Sequence, residues 1–191
     1  MSEAHKFNEI FQRRWKDAFS LNKEKYLKAY SDEKVAPWTD LMLPKNSKSD
    51  PVKEPMLNKG FLHYVAEEYM QDIDTPLRQE WYTIDLLGLR KPDRNDDYTK
   101  GKLHFILEHE NKADIETEIW KLVHWRAPLK VLICYAPEGH TSLSDEKINQ
   151  INEIYKLPFG KDSAEYLILV GSRQNDDIVF EPLEFPNSKT D

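Results

Sequence analysis

Apolar residues recur along the chain at two spacings, and these predict the order of helices and strands. Over residues 4–30 they return about every 3.6 residues, the period of a helix with one buried face. Residues 57–70 and the run ADIETEIWKLVHW from Ala113 share that spacing. Runs rich in branched and aromatic residues predict strands. They are WYTIDLLGL from Trp81, LHFILEHENK from Leu103, LKVLICYA from Leu129, YLILV from Tyr166, and residues 178–185.

The connections between these segments predict the fold class. The runs over 81–89 and 103–112 are joined by the polar stretch KPDRNDDYTKGK, as in a β-hairpin. The helix from Ala113 lies between two strands, which implies a parallel crossover. Ser142 and Asp145 match a capping box at the start of the next helix, and Pro182 marks an edge strand. We therefore expect an α/β domain with a mixed central sheet flanked by helices.

A proline-rich stretch predicts a division of the chain. Between Ser31 and Pro55 four prolines frame polar sequence, as in an exposed loop. We expect an N-terminal helical arm and linker over residues 1–55, an α/β domain over 56–186, and a frayed tail over 187–191.

Composition narrows the class of protein. The 191 residues are 39% hydrophobic and 32% charged, with no apolar run near the roughly 20 residues that a membrane helix needs. The N-terminus lacks the apolar core of a signal peptide, so we expect a cytoplasmic protein without a membrane partner. Cys134, the one cysteine, lies in an apolar run and is expected to be a buried, inert thiol. The net charge of −7 argues against a broad phosphate-binding surface but not against a local one.

Charged residues collect at the end of the strand that begins at Leu103. Because side chains alternate along a strand, Glu108, Glu110 and Lys112 are expected on one face and His109 on the other. Asp85 interrupts the preceding strand, and a hairpin would bring it near them. Carboxylates and a backbone carbonyl are hard ligands suited to Mg²⁺, while a lysine can orient water or stabilise developing charge. The alternative is that Asp85 pairs with Lys112 or an arginine and that the glutamates lie in solvent.

These motifs resemble the PD-(D/E)XK nuclease superfamily, whose fold is restriction-endonuclease-like. The resemblance covers about residues 61–139 and rests on YTIDLL, FILEHENK, ETEIWKLVHW and VLICYAPEG. It implies that Asp85 and Glu110 bind a metal ion together with the backbone carbonyl of Asn111. It also implies that Lys112 is the catalytic lysine.

Three further residues are possible accessory site residues. Glu68, or its neighbour Glu67, would match an extra acid that some members carry, and Glu108 is a further candidate for the metal shell. Lys121 stands where many relatives have glutamine; it suits contact with a phosphate, and it also fits a member that has lost activity. The lysine at this position is one departure from the family pattern. A second departure is the number of predicted strands before the Glu-x-Lys strand, which is one here and two in the family core. Either residues 77–89 form one long bent strand, or the strand boundary is misplaced.

The expected function is hydrolysis of phosphodiester bonds in nucleic acid by a nuclease that uses Mg²⁺ or Mn²⁺, with DNA as the expected substrate. The alternative is a catalytically inactive nuclease-fold module for binding or assembly in a defence or repair system. The aromatic-rich N-terminal arm would then contact a protein partner or form a homodimer. A third interpretation is an α/β domain whose acids only decorate its surface.

Overall fold

A computed structural model describes residues 1–32, 35–44, 59–71, 77–81, 84–90, 102–110, 115–156 and 163–183. Within these ranges the chain forms five helices and six strands. The helices are α1 (Glu3–Tyr30), α2 (Val35–Met42), α3 (Phe61–Tyr69), α4 (Ile115–His124) and α5 (Asp145–Lys156). The strands are β1 (Leu77–Trp81), β2 (Ile84–Arg90), β3 (Lys102–His109), β4 (Leu129–Tyr135), β5 (Glu165–Gln174) and β6 (Asp177–Leu183).

The six strands form one mixed sheet in the order β1 to β6. β1, β2 and β3 are antiparallel neighbours, β3, β4 and β5 run parallel, and β6 is antiparallel to β5. The expected α/β class with a mixed sheet is therefore confirmed. The parallel β3–β4 pair, with α4 between the two strands in the chain, confirms the expected crossover, and β6 is the expected edge strand.

Two strands, β1 and β2, precede β3. Leu77 pairs with Gly88 and Trp81 with Ile84, so the segment is a hairpin rather than one strand over 81–89. The prediction merged the end of β1 with β2 because the intervening residues, Tyr82 and Thr83, belong to the types that favour strands and give no turn signal. The strand number now equals the one that the resemblance implies.

Helices cover both faces of the sheet. On one face, α1, α2 and α3 enclose a core with the sheet that contains Phe7, Phe11 and Phe105. On the other face, α4 and α5 enclose a second core that contains Ile106 and Ile119. Alternation along β4 divides its side chains between these cores, since Leu129, Val131 and Ile133 join the first and Leu132 and Cys134 the second.

The long N-terminal helix is present and belongs to the first core. Its aromatic side chains contact the sheet: Phe11 meets Phe180 edge to face at 5.0 Å, and the Trp15 indole donates a 2.7 Å hydrogen bond to the Ile178 carbonyl. The helix bends at Asn22, where φ is −138°. The boundary predicted at residue 55 and the predicted tail over 187–191 lie outside the described residues.

Part of the predicted proline-rich loop is helical. Residues 35–42 form α2, whose Trp38 and Met42 are buried in the first core. Pro37 lies in the first turn of α2, where a missing backbone N–H breaks no helical hydrogen bond. Residues 33–34 and 45–55 of the same stretch are outside the described ranges.

The start of α5 also differs from the prediction. The helix begins at Asp145, and Ser144 Oγ accepts a hydrogen bond from the Lys147 backbone at 3.3 Å. Ser144, not Ser142, is therefore the capping residue, because the cap directly precedes the first helical residue. Among the described helices, none is long and apolar enough to cross a membrane.

Candidate functional site

Three acidic side chains and one lysine converge where β2, β3 and α4 meet. Pairing of Leu86 with Leu107 and of Leu87 with Ile106 sets the β2–β3 register. Continued by one residue, this register places Asp85, near the start of β2, opposite Glu108, near the end of β3, on the face that α4 covers. From α4, Glu118 and Lys121 complete the group, because Lys121 contacts both Glu108 and Glu118. We call these four residues the acidic cluster.

Asp85 is held by the backbone of β3. Its Oδ2 accepts a hydrogen bond of 2.8 Å from the His109 N–H, and its own N–H donates to Glu108 Oε2 at 3.4 Å. Burial raises the pKa of the Asp85 carboxyl; the His109 N–H opposes this, and the Glu118 charge adds to it. Asp85 is therefore a partly desolvated acid in a fixed orientation.

Glu108 is the most deeply buried member of the cluster. Its side chain has no exposed surface, and its Oε1 accepts no hydrogen bond from any described residue. The Lys121 ammonium lies 3.6 Å from that oxygen. Burial raises the pKa of Glu108 far above its ordinary value, and the charges of Asp85 and Glu118 raise it further. Glu108 therefore favours a bound proton or a bound cation.

α4 presents Glu118 and Lys121 from its buried side. Lys121 Nζ donates to Glu118 Oε2 at 2.5 Å, one helical turn away. Burial lowers the pKa of Lys121, but the hydrogen bond to Glu118 and the nearby carboxylates outweigh it and leave that pKa raised. The sequence analysis missed Glu118. Its signal was an acid within the apolar stripe of this helix, three residues before a lysine.

The cluster contains more negative than positive charge. Among the described residues, Asp85, Glu108 and Glu118 face one ammonium, that of Lys121. Unpaired buried charge is costly, so this group favours a bound proton or cation. Carboxylate oxygens are the donors that Mg²⁺ and Mn²⁺ prefer, and Glu108 Oε1 is available. The donor set fits such an ion. In the described part of the chain, however, no three acidic, histidine or cysteine side chains are arranged to enclose a metal ion as they stand.

Glu110 follows directly after β3. Its N–H donates to the Ile133 carbonyl at 2.9 Å, so pairing with β4 extends to this residue. Cys134 belongs to the core under α4. Burial raises the pKa of its thiol to about 12, and the negative charge of Glu110 contributes to this increase. Alternation along β3, continued by the pairing with β4, predicts that Glu110 lies on the same face as Glu108. Asn111 and Lys112, the implied carbonyl ligand and catalytic lysine, lie outside the described residues.

The predicted accessory residues separate into two places. Glu108 and Lys121 lie in the acidic cluster with Asp85. Glu68 instead pairs with Arg13 and Arg14 of α1, on the helices that cover the opposite face of the sheet. The structure thus brings together Asp85, Glu108 and Lys121 but not Glu68.

His109 and Cys134 are placed as expected. The His109 ring is buried, and its Nε2 lies 2.7 Å from the Tyr135 hydroxyl, whose residue packs with the first core. Burial lowers the pKa of His109 to about 3, so the ring is neutral at physiological pH. Cys134 is buried, and its raised pKa keeps it a thiol.

Comparison of the chain with models of protein families, with curated proteins and with solved structures found no match. Any functional conclusion therefore depends on the chemistry of the acidic cluster and of its surroundings.

Proposed function

We propose that this protein is a metal-dependent nuclease of the PD-(D/E)XK type that hydrolyses phosphodiester bonds. Among the described residues, Asp85, Glu108 and Glu118 converge on one ammonium at the carboxyl end of β3, and this arrangement supports the proposal most directly. Such an excess of buried carboxyl groups is the donor set that a divalent cation requires. The two strands before β3 and the parallel crossover after it agree with the fold that the motifs imply.

Asp85, Glu108, Glu110 and the Asn111 carbonyl would hold Mg²⁺ or Mn²⁺. When bound, the ion would polarise a phosphoryl oxygen and lower the pKa of a coordinated water. The His109 N–H keeps the Asp85 carboxylate oriented, and the hydrophobic core under α4 keeps Glu108 out of bulk water. Lys112 would orient the attacking water, and Lys121 would contact the phosphate.

DNA is the proposed substrate, and the cytoplasm is the proposed location. The net charge of −7 restricts phosphate binding to a local surface, so we expect a short footprint on the nucleic acid. Lys121 contacts the acidic cluster, whereas Arg13 and Arg14 of α1 pair with Glu68 on the opposite face of the sheet.

The test is cleavage of single- and double-stranded DNA and RNA by purified protein with Mg²⁺ or Mn²⁺. We expect Asp85→Asn, Glu110→Gln and Lys112→Ala to lower the rate by about 100-fold or more, because each removes a ligand or a charge that acts on the transition state. Glu153→Gln is the matched control, since Glu153 lies in an exposed ion pair with Lys156. Equal cleavage by the wild type and all three site variants would show that the activity comes from a contaminant.

An inactive nuclease-fold module is the second candidate, and Lys121 favours it. Its ammonium already contacts Glu108 and Glu118, so it can act as a built-in counter-ion in place of a metal. Calorimetric titration with Mn²⁺ separates the two functions. Binding by the Lys121→Gln protein but not by the wild type, together with no cleavage, would favour the binding or assembly module.

A further inference from the structure

A second site lies at the same end of the sheet, on the opposite face from the acidic cluster. It is a cleft of about 630 Å³ between the ends of α1, β4 and β5 and the helix α2. Tyr30, Trp38 and Tyr135 form its aromatic wall, and Asp32, His140 and Arg173 are among its polar residues. Clefts of this volume accommodate small organic ligands, and ligands of α/β proteins bind beyond the carboxyl ends of parallel strands.

The aromatic wall offers ring surface to a flat ligand. Tyr30 and Trp38 meet edge to face with centroids 5.0 Å apart, and Trp38 and Tyr135 do so at 5.7 Å. Tyr30 and Tyr135 are half-buried, and their rings also meet edge to face with centroids 5.8 Å apart. The Trp38 indole nitrogen is buried and makes no hydrogen bond of normal geometry within the described residues. It lies close enough to the Tyr135 hydroxyl to lower the pKa of Tyr135, which burial raises.

Arg173 gives the cleft a positively charged group. Its guanidinium donates to the Ser31 hydroxyl and, through Nε, to the Asn175 carbonyl at 3.2 Å. Both acceptors are uncharged, so these two bonds orient the guanidinium without neutralising it; the carboxylates of Asp32 and Glu138 line the same cleft. A guanidinium held in this way suits a phosphate, whereas it would repel a cationic ligand that aromatic rings might otherwise bind.

His109 joins the cleft to the acidic cluster. Its backbone N–H donates to Asp85 on one face of the sheet, and its ring bonds to Tyr135 in the cleft wall on the other. One residue of β3 therefore contacts both places. A ligand that contacts Tyr135 lies one hydrogen-bonded residue from the acid that we propose as a metal ligand.

We propose that this cleft binds one unstacked nucleobase with its phosphate, the base stacking on Tyr30 and the phosphate contacting Arg173. Aromatic rings bind any base by its π face. We expect the base to come from an unpaired position in a nucleic-acid substrate, and this part of the proposal rests on the proposed nuclease function. Binding of the base itself can be measured without cleavage.

The test is calorimetric titration of the full chain, without divalent cations, with each deoxynucleoside 5′-monophosphate, with the parent deoxynucleosides and with deoxyribose 5-phosphate. We expect the mononucleotides to bind and the base-free sugar phosphate to bind at least about tenfold more weakly. Tyr30→Leu should weaken mononucleotide binding by about tenfold or more through loss of stacking. Arg173→Gln should weaken binding of the nucleotide but not of the nucleoside. Tyr64→Leu and Arg126→Gln, both at exposed positions outside the cleft, are the matched controls.

A second arm compares a single-stranded oligonucleotide with its duplex. Tighter binding of the single strand, lost in Arg173→Gln, identifies a nucleic acid as the source of the base, whereas equal affinity for the mononucleotide and the single strand identifies a free nucleotide. No mononucleotide binding at millimolar concentration, or binding unchanged by both cleft substitutions, would overturn the proposal. Retained binding in a protein that never cleaves would overturn only the nuclease function, and cleavage without mononucleotide binding would overturn only the cleft.

Discussion

The backbone N–H of His109 donates a 2.8 Å hydrogen bond to Oδ2 of Asp85, so the main chain of β3 fixes the orientation of an acid on β2. The same strand places Glu108 beside Asp85 and turns the His109 ring to the opposite face. A carboxylate held by a main-chain donor keeps its position when its neighbours change. Substitution of Glu118 or Lys121 leaves this donor in place, because neither residue takes part in the bond.

Lys121→Gln should destabilise the protein when divalent cations are absent. The substitution leaves the carboxyl groups of Glu108 and Glu118 without their counter-ion. We expect a loss of about 1–3 kcal/mol in the free energy of unfolding, less than the ~3–5 kcal/mol for a fully buried pair because Lys121 is partly exposed. Urea denaturation measures the loss, and millimolar Mg²⁺ should restore most of it.

The control for this prediction is Lys147→Gln, which breaks the more exposed ion pair with Glu116. It should change the free energy of unfolding by about 0–1 kcal/mol and show no Mg²⁺ dependence. Equal losses in both variants would mean that Lys121 has no special relation to the cluster.

Glu108→Gln should change how stability depends on pH. Because folding raises the pKa of Glu108, the folded protein binds its proton more tightly than the unfolded chain does. The resulting stabilisation is full below the ordinary carboxyl pKa of about 4.3 and is lost as pH rises towards the raised value. Without divalent cations, we therefore expect the variant to be more stable than the wild type by roughly 1–3 kcal/mol near pH 8.

Thermal denaturation of the two proteins at about pH 5 and about pH 8 measures this difference. Glu153→Gln, an exposed carboxylate in a surface ion pair, is the control and should follow the wild type at both values. If Glu108→Gln and the wild type have parallel pH profiles, Glu108 is ionised in the folded protein and the cluster is balanced in another way.

Tyr135→Phe tests the link between the two faces of the sheet. It removes the hydroxyl that bonds to His109 Nε2 at 2.7 Å but keeps the ring that packs against Phe180 and Trp38. We expect a loss of about 1 kcal/mol in the free energy of unfolding, since the buried His109 nitrogen loses a described partner. Chemical denaturation measures it, with Tyr64→Phe at an exposed position as the control.

Phe11→Ala tests whether α1 folds together with the sheet. Phe11 is fully buried and contacts Phe61 of α3 and Phe180 of β6. Its truncation should cost about 3–5 kcal/mol, while Leu21→Ala, at an 81% exposed position of the same helix, should cost less than about 0.5 kcal/mol. A single cooperative transition shifted by Phe11→Ala confirms one folding unit; an unchanged main transition would mean that α1 unfolds separately.

Sequence reasoning located the elements whose pattern is internal to a short segment. Each of these elements buries one face or two, so its residue types reveal it. They are the helices α1, α3, α4 and α5, which show a helical period, and the strands β3, β4 and β5, which are apolar runs. It failed where composition and conformation disagree. α2 contains a proline in its first turn, and the break between β1 and β2 contains residues typical of strands.

The sequence by itself determined the α/β class and the parallel crossover, because both follow from residue spacing. Only the tertiary structure decided which charges meet. The antiparallel register brought Glu108 to Asp85, the docking of α4 added Glu118 and Lys121, and the packing of α1 against α3 paired Glu68 with Arg13 and Arg14. Contacts of this kind depend on the relative placement of elements distant in the chain, which no local pattern of residues encodes.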